Sequence, residues 1–198
     1  MHRISGVVLA AGASTRMGTQ KLVLTLGGEP IIRRTVRHVA DAGFDDILVV
    51  LGHEHERVLE ALEGLPIRHA VNAEYQTGMG SSFRTAVEQL SQSDAAMFAL
   101  GDQAFVTSRE YRALLDAYRR QPDQPVVSVR YGEVTAPPHL FRRTLFPELA
   151  ALTHGARSVL DRHRHEMTIL EFPPDLLQDI DTPEDYDRAR TRFPSPRE

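Results

Sequence analysis

The stretch Val-Val-Leu-Ala-Ala-Gly-Ala-Ser-Thr-Arg-Met-Gly-Thr-Gln-Lys, from Val7 to Lys21, joins an apolar run to a loop of small residues. Gly12 and the alanines beside it carry little bulk, so backbone N–H groups can approach an anion or the edge of a base closely. Arg16 and Lys21 add fixed positive charge to the same loop. A strand that leads into such a turn predicts a nucleotide site.

The spacing in this loop excludes two common phosphate-binding motifs. A P-loop requires glycine, four residues and then Gly-Lys-Ser/Thr, whereas five residues separate Gly12 from Gly18 and Leu22 follows Lys21. A Rossmann fingerprint requires Gly-x-Gly-x-x-Gly, and Ser14 stands at the second glycine position. The loop therefore belongs to a third kind.

Length and composition predict a single folded unit. The chain has 198 residues, of which 41% are hydrophobic, which is enough for one well-filled core. We expect this domain over residues 1–193 and a loose C-terminal tail over residues 194–198.

Charge and cysteine content limit the partners. The net charge is −4 and the isoelectric point about 6.1, so we expect neither nucleic acid nor membrane as a partner. The sequence contains no cysteine, which excludes disulfides and thiolate metal sites and is compatible with a reducing compartment. The first strand begins close to Met1 and no apolar run approaches membrane-spanning length, so we expect a cytoplasmic protein.

Short apolar runs typical of strands buried on both faces alternate with helical patterns. The strand runs are Ile4 to Leu9, Ile47 to Leu51, Ile67 to Val71, Ala95 to Leu100 and Val126 to Val129. The helical runs are Pro30 to Ala42, Glu54 to Leu62, Ser81 to Leu90 and Ser108 to Tyr118. This alternation predicts an α/β fold with a mostly parallel, Rossmann-like sheet, helices on both faces and ligands beyond the carboxyl ends of the strands.

The pattern loosens after Arg130. The stretch from Tyr131 to Leu140 contains Gly132 and two prolines and is expected to form a substrate-facing loop. A late helix is expected to begin at Pro183, with Thr182 as its cap.

Acidic residues mark two candidate metal positions. Asp102 follows an apolar run, so its carboxylate is expected in the same crevice as the first loop, where a hard divalent ion would suit it. Asp179 and Asp181 alternate in an extended segment and could face the same way, although such a segment alone is typical of a capped helix start.

The loop of residues 9–21 resembles the signature Leu-Ala-Ala-Gly-x-Ser-x-Arg-Met-Gly-x-x-Lys of nucleotidyltransferases related to molybdenum cofactor cytidylyltransferase and guanylyltransferase, and every fixed position matches. The Gly-Asp-Gln of that family is matched at residues 101–103, although Ala104 stands where the family usually has proline. Its Asn-x-x-x-x-x-Gly-Met-x-x-Ser pattern is matched from Asn72 to Ser82. The resemblance extends from Val7 to Tyr186 and implies a three-layer α/β/α domain of the nucleotide-diphospho-sugar transferase type.

The resemblance implies a role for each matched residue. Contacts to the nucleotide are implied for Leu9, Ala10, Ala11, Gly12, Arg16, Lys21, Asn72, Gly78, Ser81 and Ser82. Catalytic roles are implied for Arg16, Lys21 and Asp102, and Mg²⁺ would be held by Asp102 and Asp181. Whether Asp179 also binds the metal stays open.

The implied reaction joins a nucleoside monophosphate from a nucleoside triphosphate to a phosphorylated acceptor and releases pyrophosphate. The acceptor implied is molybdenum-loaded molybdopterin, with a molybdoenzyme or a cofactor-insertion protein as a further partner. The alternatives are a sugar phosphate, a methylerythritol phosphate or a phospholactate-like acid as acceptor. An alternative of another class is an accessory protein that binds a nucleotide or a finished cofactor without catalysis.

Two further likenesses concern the base and the acceptor. The form Leu9-Ala10-Ala11-Gly12 resembles the cytidylyltransferases, whereas the guanylyltransferases tend to carry Ala-Gly-Gly, so CTP is implied over GTP. Pro138, Phe141 and Gly155-Ala156-Arg157 resemble the acceptor-facing elements Pro-x-x-Phe and Gly-Asp-x-Gly-Ala-Arg. Leu152-Thr153-His154 occupies the stretch where the aspartate of the second element would stand, so the acceptor is the open part of the prediction.

Overall fold

The computed structural model describes residues 2–193, in which strands and helices alternate. The strands are β1 (Ile4–Ala10), β2 (Thr25–Leu26), β3 (Glu29–Pro30), β4 (Asp46–Leu51), β5 (Arg68–Val71), β6 (Ala95–Leu100), β7 (Val126–Tyr131), β8 (Val134–Thr135), β9 (His139–Arg142) and β10 (Met167–Phe172). The helices are α1 (Ile31–Ala40), α2 (His55–Glu60), α3 (Met79–Glu88), α4 (Ser108–Arg120), α5 (Phe146–Ala150), α6 (Arg157–Arg162) and α7 (Pro183–Arg192). The predicted α/β fold is confirmed.

One large mixed sheet runs through the described residues in the order β10-β7-β9-β6-β1-β4-β5, and β8 pairs with β7 beside it. Strand β1 is parallel to both of its neighbours, and Leu9 pairs with Val50 of β4 on one side and Leu100 of β6 on the other. Because their registers match, these three strands end at the same edge of the sheet. The loops that follow β1 and β6 therefore leave the sheet side by side.

Helices cover both faces of the sheet. Along β1, Val8 and Ala10 pack into a core that includes α1, α2, α4 and α7. Val7 and Leu9 point the other way, into a core that includes α3, α5 and α6. Both faces of the strand are buried, which explains why its sequence is a continuous apolar run without polar alternation.

The segment from Tyr131 to Leu140, expected to be a loop, forms sheet in part. Strand β8 pairs antiparallel with β7, and β9 lies antiparallel between β7 and β6, near the middle of the sheet. The pattern did not reveal β9 because its four residues directly follow two prolines and begin with a histidine, which is an unusual start for a buried strand.

The predicted tail, residues 194–198, lies outside the described residues, and a domain boundary at residue 193 stays a prediction. Within residues 2–193, none of the helices combines the length and the apolar character needed to cross a membrane.

Candidate active site

The site lies beyond the carboxyl ends of β1 and β6. The turn after β6 is joined to β1 by a hydrogen bond from the N–H of Gly101 to the carbonyl of Leu9, at 2.9 Å. A cavity of about 370 Å³ opens between the two loops. The predicted residues that line it are Leu9, Ala10, Ala11, Gly12, Arg16, Lys21, Gly78, Ser82, Asp102 and Asp181. Residues far apart in sequence therefore meet at one place.

Lys21 lies between two carboxylates in this cavity. Its Nζ atom is 2.6 Å from Asp102 Oδ2 and 2.7 Å from Asp181 Oδ1. Arg16 Nη2 lies 2.6 Å from the other oxygen of Asp181, with its side chain 71% exposed against 12% for Lys21. Among the 23 lysines and arginines of the sequence, Lys21 is the only lysine. Its compact ammonium has three donors that are not coplanar, so it can bond carboxylates from two different segments at short distance.

The charges in this cluster stabilise one another. Burial opposes the charge on Lys21, but the carboxylates of Asp102 and Asp181 outweigh it and raise the pKa of Lys21 above its ordinary value. Partial burial acts to raise the pKa of Asp181, but hydrogen bonds and charge from Lys21 and Arg16 lower that pKa on balance. Lys21 and Asp181 are therefore both ionised at neutral pH.

Asp179 lies within electrostatic reach of this cluster. Burial raises the pKa of Asp179, and the negative charges of Asp181 and Asp102 raise it further. Within the described part of the chain, its side chain forms no ion pair with Lys21 or Arg16. Asp179 therefore interacts with the cluster through charge and does not pair with the lysine.

The donor set at this position fits a hard divalent cation. Asp102 and Asp181 present carboxylate oxygens that both reach a single cation, the Lys21 ammonium. Within residues 2–193, no group of three or more histidine, cysteine, aspartate or glutamate side chains is placed to hold a metal. Two carboxylates alone match a magnesium-type ion, which takes its remaining ligands from water and phosphate oxygens.

Gln20, which the sequence did not single out, holds the first loop together. Its side chain is fully buried, and Oε1 accepts a hydrogen bond from Ser14 Oγ at 3.1 Å. Its Nε2 donates to the carbonyl of His53 at 3.0 Å and to that of Gly12 at 3.4 Å. The amide thereby connects the loop after β1 to the loop after β4. A glutamine beside a lysine usually indicates solvent exposure, so the sequence carried no signal of this burial.

Two of the residues predicted to contact nucleotide, Asn72 and Ser81, lie behind the cavity and do not line it. Asn72 Nδ2 donates to Ser81 Oγ at 2.8 Å and to Ser82 Oγ at 3.1 Å, and all three side chains are buried. Only Ser82 of this group reaches the cavity. Asn72 and Ser81 therefore support the wall that Ser82 presents.

The segment that carries Asp181 is held by the start of α7. Thr182 caps this helix, as predicted, by accepting a hydrogen bond from the N–H of Asp185 at 3.2 Å. The Asp185 carboxylate accepts in return from the N–H groups of Thr182 at 2.9 Å and Asp181 at 3.1 Å. This reciprocal cap fixes the backbone of Asp181 beneath the first loop.

A second cavity of about 590 Å³ opens beside the first, and Leu9, Met79 and Leu100 border both. The predicted element Gly155-Ala156-Arg157 lines it. Pro138 and Phe141, the other element expected to face the acceptor, do not line it.

The two residues that flank Pro138, Pro137 and His139, line the second cavity instead. Phe141 is fully buried in the core of the sheet. The carbonyl of Pro137 accepts a hydrogen bond from Gln103 Nε2 at 2.6 Å, while Gln103 Oε1 accepts from the N–H of Leu100 at 3.0 Å. Gln103 therefore connects the turn that carries Asp102 to the wall of the second cavity.

Gly80 lies where the start of α3 contacts the backbone of Leu152 and Thr153. A Cβ atom at Gly80 would lie 2.0 Å from the carbonyl oxygen of Leu152 and 2.7 Å from the carbonyl carbon of Thr153. Only glycine allows the start of α3 to approach this loop so closely.

An α/β protein with a glycine-containing, positively charged loop and paired carboxylates at the carboxyl edge of its sheet has the features of the class of nucleotide-binding domains. Residues 6–167 match the family model described as "MobA-like NTP transferase domain", and the chain belongs to this family. The predicted resemblance is thereby confirmed at the level of the family.

Two curated relatives differ in how much of their length is matched. The purine catabolism protein PucB of Bacillus subtilis is 32% identical over 198 residues, which cover 93% of this chain and 95% of that protein. The bifunctional protein GlmU of Syntrophomonas wolfei is 32% identical over 130 residues, which cover 64% of this chain and 29% of that protein. The matched part therefore spans less than a third of this GlmU.

Solved structures share the fold along nearly the whole chain. The crystal structure of Rv0371c from Mycobacterium tuberculosis is 29% identical, with a TM-score of 0.85 over 96% of this chain and 98% of that one. A manganese complex of Rv0371c is 28% identical, with a TM-score of 0.80 over the same shares of the two chains.

Proposed function

We propose that this protein is a metal-dependent nucleotidyltransferase that joins a nucleoside monophosphate to a phosphorylated acceptor and releases pyrophosphate. The observation that carries the proposal is the position of Lys21 between Asp102 and Asp181, in a cavity walled by a glycine-containing loop. One cavity thus contains both the positive charge that would bind phosphates and the carboxylates that would bind a divalent ion. Phosphoryl transfer requires both. Family membership supports the same reaction.

Phosphate binding would follow from an exchange of ionic partners. Lys21 and Arg16 are paired with carboxylates, and a triphosphate in the cavity would offer them oxygens of higher charge. Asp102 and Asp181 would then hold magnesium. When bound, this ion would neutralise negative charge on the phosphate oxygens.

The chemical step needs no general base from the protein. An oxygen of the ionised acceptor phosphate attacks the α-phosphorus, and the bond from that phosphorus to the β-phosphate oxygen breaks. Pyrophosphate leaves with the electron pair, and no proton has to move. The role of the chain is to position both anions and to balance negative charge, and we assign this role to Lys21 and Arg16.

For the base and the acceptor we propose CTP and molybdenum-loaded molybdopterin. The support is the Leu9-Ala10-Ala11-Gly12 form of the loop, which lines the nucleotide cavity together with Ser82. A site whose backbone hydrogen-bonds one base leaves polar groups unpaired when it is offered another, at about 1–3 kcal/mol per group. CTP should therefore be favoured over GTP by roughly 5- to 150-fold in kcat/KM for each unpaired group.

The test is pyrophosphate release with each of the four nucleoside triphosphates, in the presence and in the absence of molybdenum-loaded molybdopterin. Release that requires both CTP and this acceptor supports the full proposal. If GTP serves as well as CTP, the assignment of the base is wrong. If no triphosphate is consumed with molybdopterin or with a sugar phosphate, an accessory binding protein is the better account.

A further inference from the structure

Two aromatic rings and two guanidinium groups from distant parts of the chain pack together. The rings of Phe105 and Phe193 have their centroids 5.3 Å apart and their planes inclined by 31°. The guanidinium carbon of Arg34 lies 4.2 Å from the centroid of the Phe193 ring, and that of Arg192 lies 4.7 Å from the centroid of the Phe105 ring. Aromatic pairs and cation–π contacts are attractive at these separations. We call these four residues the aromatic cluster.

One ring of the aromatic cluster belongs to the turn that carries Asp102. Phe105 follows Asp102 by three residues and is only 4% exposed. Backbone hydrogen bonds close this turn, from the N–H of Ala104 to the carbonyl of Asp102 at 2.8 Å and from the N–H of Val106 to the carbonyl of Gln103 at 3.2 Å. Because the turn is short and closed, a displacement of the Phe105 ring would also displace Asp102.

The other ring belongs to the helix that follows Asp181. Phe193 comes directly after the last residue of α7, and Asp181 directly precedes the cap of the same helix. Among the described residues of α7, Ala189 alone is buried, so few apolar contacts along its length hold this helix against the core. The buried side chain of Ile180 anchors its start. Because α7 is about 15 Å long, the contact of Phe193 at its far end fixes the direction of the helix.

Arg34 connects the aromatic cluster to the segment that follows Lys21. Its Nη2 donates a hydrogen bond to the carbonyl of Leu26 in β2, at 3.3 Å. The hydroxyl of Tyr186 in α7 donates to the carbonyl of Thr25, in the same strand, at 2.7 Å. Among the described residues that line the first cavity, none belongs to the aromatic cluster. The segments that carry the three charged residues of the site are therefore joined to one another outside the cavity.

We propose that the aromatic cluster, through Phe193, holds the carboxylates of Asp102 and Asp181 at the separation that a divalent cation requires. Phe193 is thus a positioning residue, which acts on the ion without touching it. A magnesium-type ion demands near-ideal octahedral geometry, so a small displacement of one carboxylate weakens its binding. The inference rests on the proposed function, in which these two carboxylates bind the ion.

The inference is tested by measuring the affinity for Mn²⁺, without nucleotide, in proteins that carry Lys21→Ala. This background removes the ammonium that pairs with both carboxylates, and free Mn²⁺ is measured from its electron paramagnetic resonance signal. Three variants are made in it: Phe193→Ala removes one ring, Phe193→Tyr keeps that ring, and Phe105→Leu removes the other. A double variant combines Phe105→Leu with Phe193→Ala.

The matched control is Phe44→Ala in the same background. Phe44 is also a partly buried phenylalanine packed against the core, but it precedes β4 and therefore lies at the opposite edge of the sheet. Circular dichroism and unfolding in urea verify that each variant is folded and measure its loss of stability. Phe193→Leu, which keeps apolar bulk, replaces the alanine variant if that variant does not fold.

The expected result is that Phe193→Ala binds Mn²⁺ about tenfold more weakly than its parent, whereas Phe193→Tyr and Phe44→Ala bind it as the parent does. Phe105→Leu should weaken binding in the same direction, and the double variant should show little further loss because the contact is already broken. In turnover, with Lys21 intact, Phe193→Ala should raise the Mg²⁺ concentration for half-maximal pyrophosphate release. The dissociation constant for CTP, measured without metal, should stay the same.

Three results would overturn the inference: Mn²⁺ binding by folded Phe193→Ala equal to that of its parent, an equal loss in Phe44→Ala or Phe193→Tyr, or no Mn²⁺ binding by Lys21→Ala itself. None of them would affect the proposed function if pyrophosphate is still released in a metal-dependent reaction. Conversely, Mn²⁺ affinity that depends on Phe193, without pyrophosphate release from any acceptor, would support the inference and remove the proposed function.

Discussion

The two cavities at the carboxyl edge of the sheet are built on different physical principles. In the first cavity, which we propose to be the nucleotide cavity, Lys21 and Arg16 are balanced against the carboxylates of Asp102 and Asp181. The neighbouring cavity is lined mainly by aromatic and aliphatic side chains, together with His139, His154 and the charged side chains of Glu133, Arg157 and Asp161. In the first cavity, phosphate groups of a ligand would replace the carboxylates as partners of Lys21 and Arg16. The second cavity would bind its ligand through complementary shape. Substitutions should therefore affect charge-dependent steps in the first and acceptor affinity in the second.

The largest effect is expected for Asp102→Asn. The amide keeps the shape of the side chain but removes a charge from the carboxylate pair, and the metal stabilisation that depends on it is worth several kcal/mol. We expect kcat to fall by about three orders of magnitude, with an unchanged circular dichroism spectrum. Asp123→Asn, at a side chain that is 95% exposed, is the control. Turnover of Asp102→Asn close to that of the control, at saturating magnesium, would remove Asp102 from the reaction.

Lys21→Ala should have the next largest effect. A charge-assisted hydrogen bond contributes about 1.5–3 kcal/mol, so the affinity for CTP should fall roughly 10- to 150-fold. The variant also leaves the carboxylates of Asp102 and Asp181 facing each other without the ammonium. We therefore expect added Mn²⁺ to raise the melting temperature of Lys21→Ala more than that of the wild type. Equal shifts in both proteins would show that the two carboxylates do not act as a cation site.

Two glycine substitutions distinguish an effect on the stability of the fold from an effect on ligand binding. A methyl group at Gly80 would collide with the backbone of Leu152, so Gly80→Ala should lower the free energy of unfolding by about 1–3 kcal/mol. At Gly12, apart from the two chain neighbours, a methyl group meets no atom of residues 2–193 within 4 Å and would extend into the nucleotide cavity. Gly12→Ala should therefore keep normal stability in urea and bind CTP more weakly. The opposite pattern would show that Gly12 supports the loop and not the ligand.

The smallest effect is expected for Arg16→Ala. This arginine is 71% exposed, and exposed ion pairs contribute about 0–1 kcal/mol. We expect little change in stability and a several-fold rise in KM for CTP at low ionic strength, which shrinks in 0.5 M salt as the charge is screened. A rise in KM that is independent of salt would indicate that Arg16 acts through shape and not through charge.

The parts of the site that follow parallel strands could be predicted from the sequence. Carboxyl ends of parallel strands meet at one edge, so the loop after β1 and Asp102 after β6 were expected together. The shared position of Lys21 between Asp102 and Asp181 could not be predicted, because the contact with Asp181 joins residues 160 positions apart.

Buried polar contacts were the other part that the sequence did not reveal. Gln20, Asn72 and Ser81 are recognisable only from the partners they reach, since each residue type is usually found at the surface. The same holds for His139, because β9 is too short and too irregular to be recognised as a strand. Periodicity revealed the apolar cores, whereas the polar groups that shape the cavities depend on tertiary contacts.

The single lysine of the chain makes the nucleotide cavity accessible to selective observation. Biosynthetic labelling with ¹⁵N-lysine places one side-chain ammonium resonance in the entire spectrum, and that resonance comes from Lys21. Because this ammonium contacts two carboxylates at 2.6 and 2.7 Å, its protons should exchange with water more slowly than those of an exposed lysine. An amine-directed reagent likewise finds a single ε-amino group, so its rate of modification reports how well each nucleotide or cation shields the cavity.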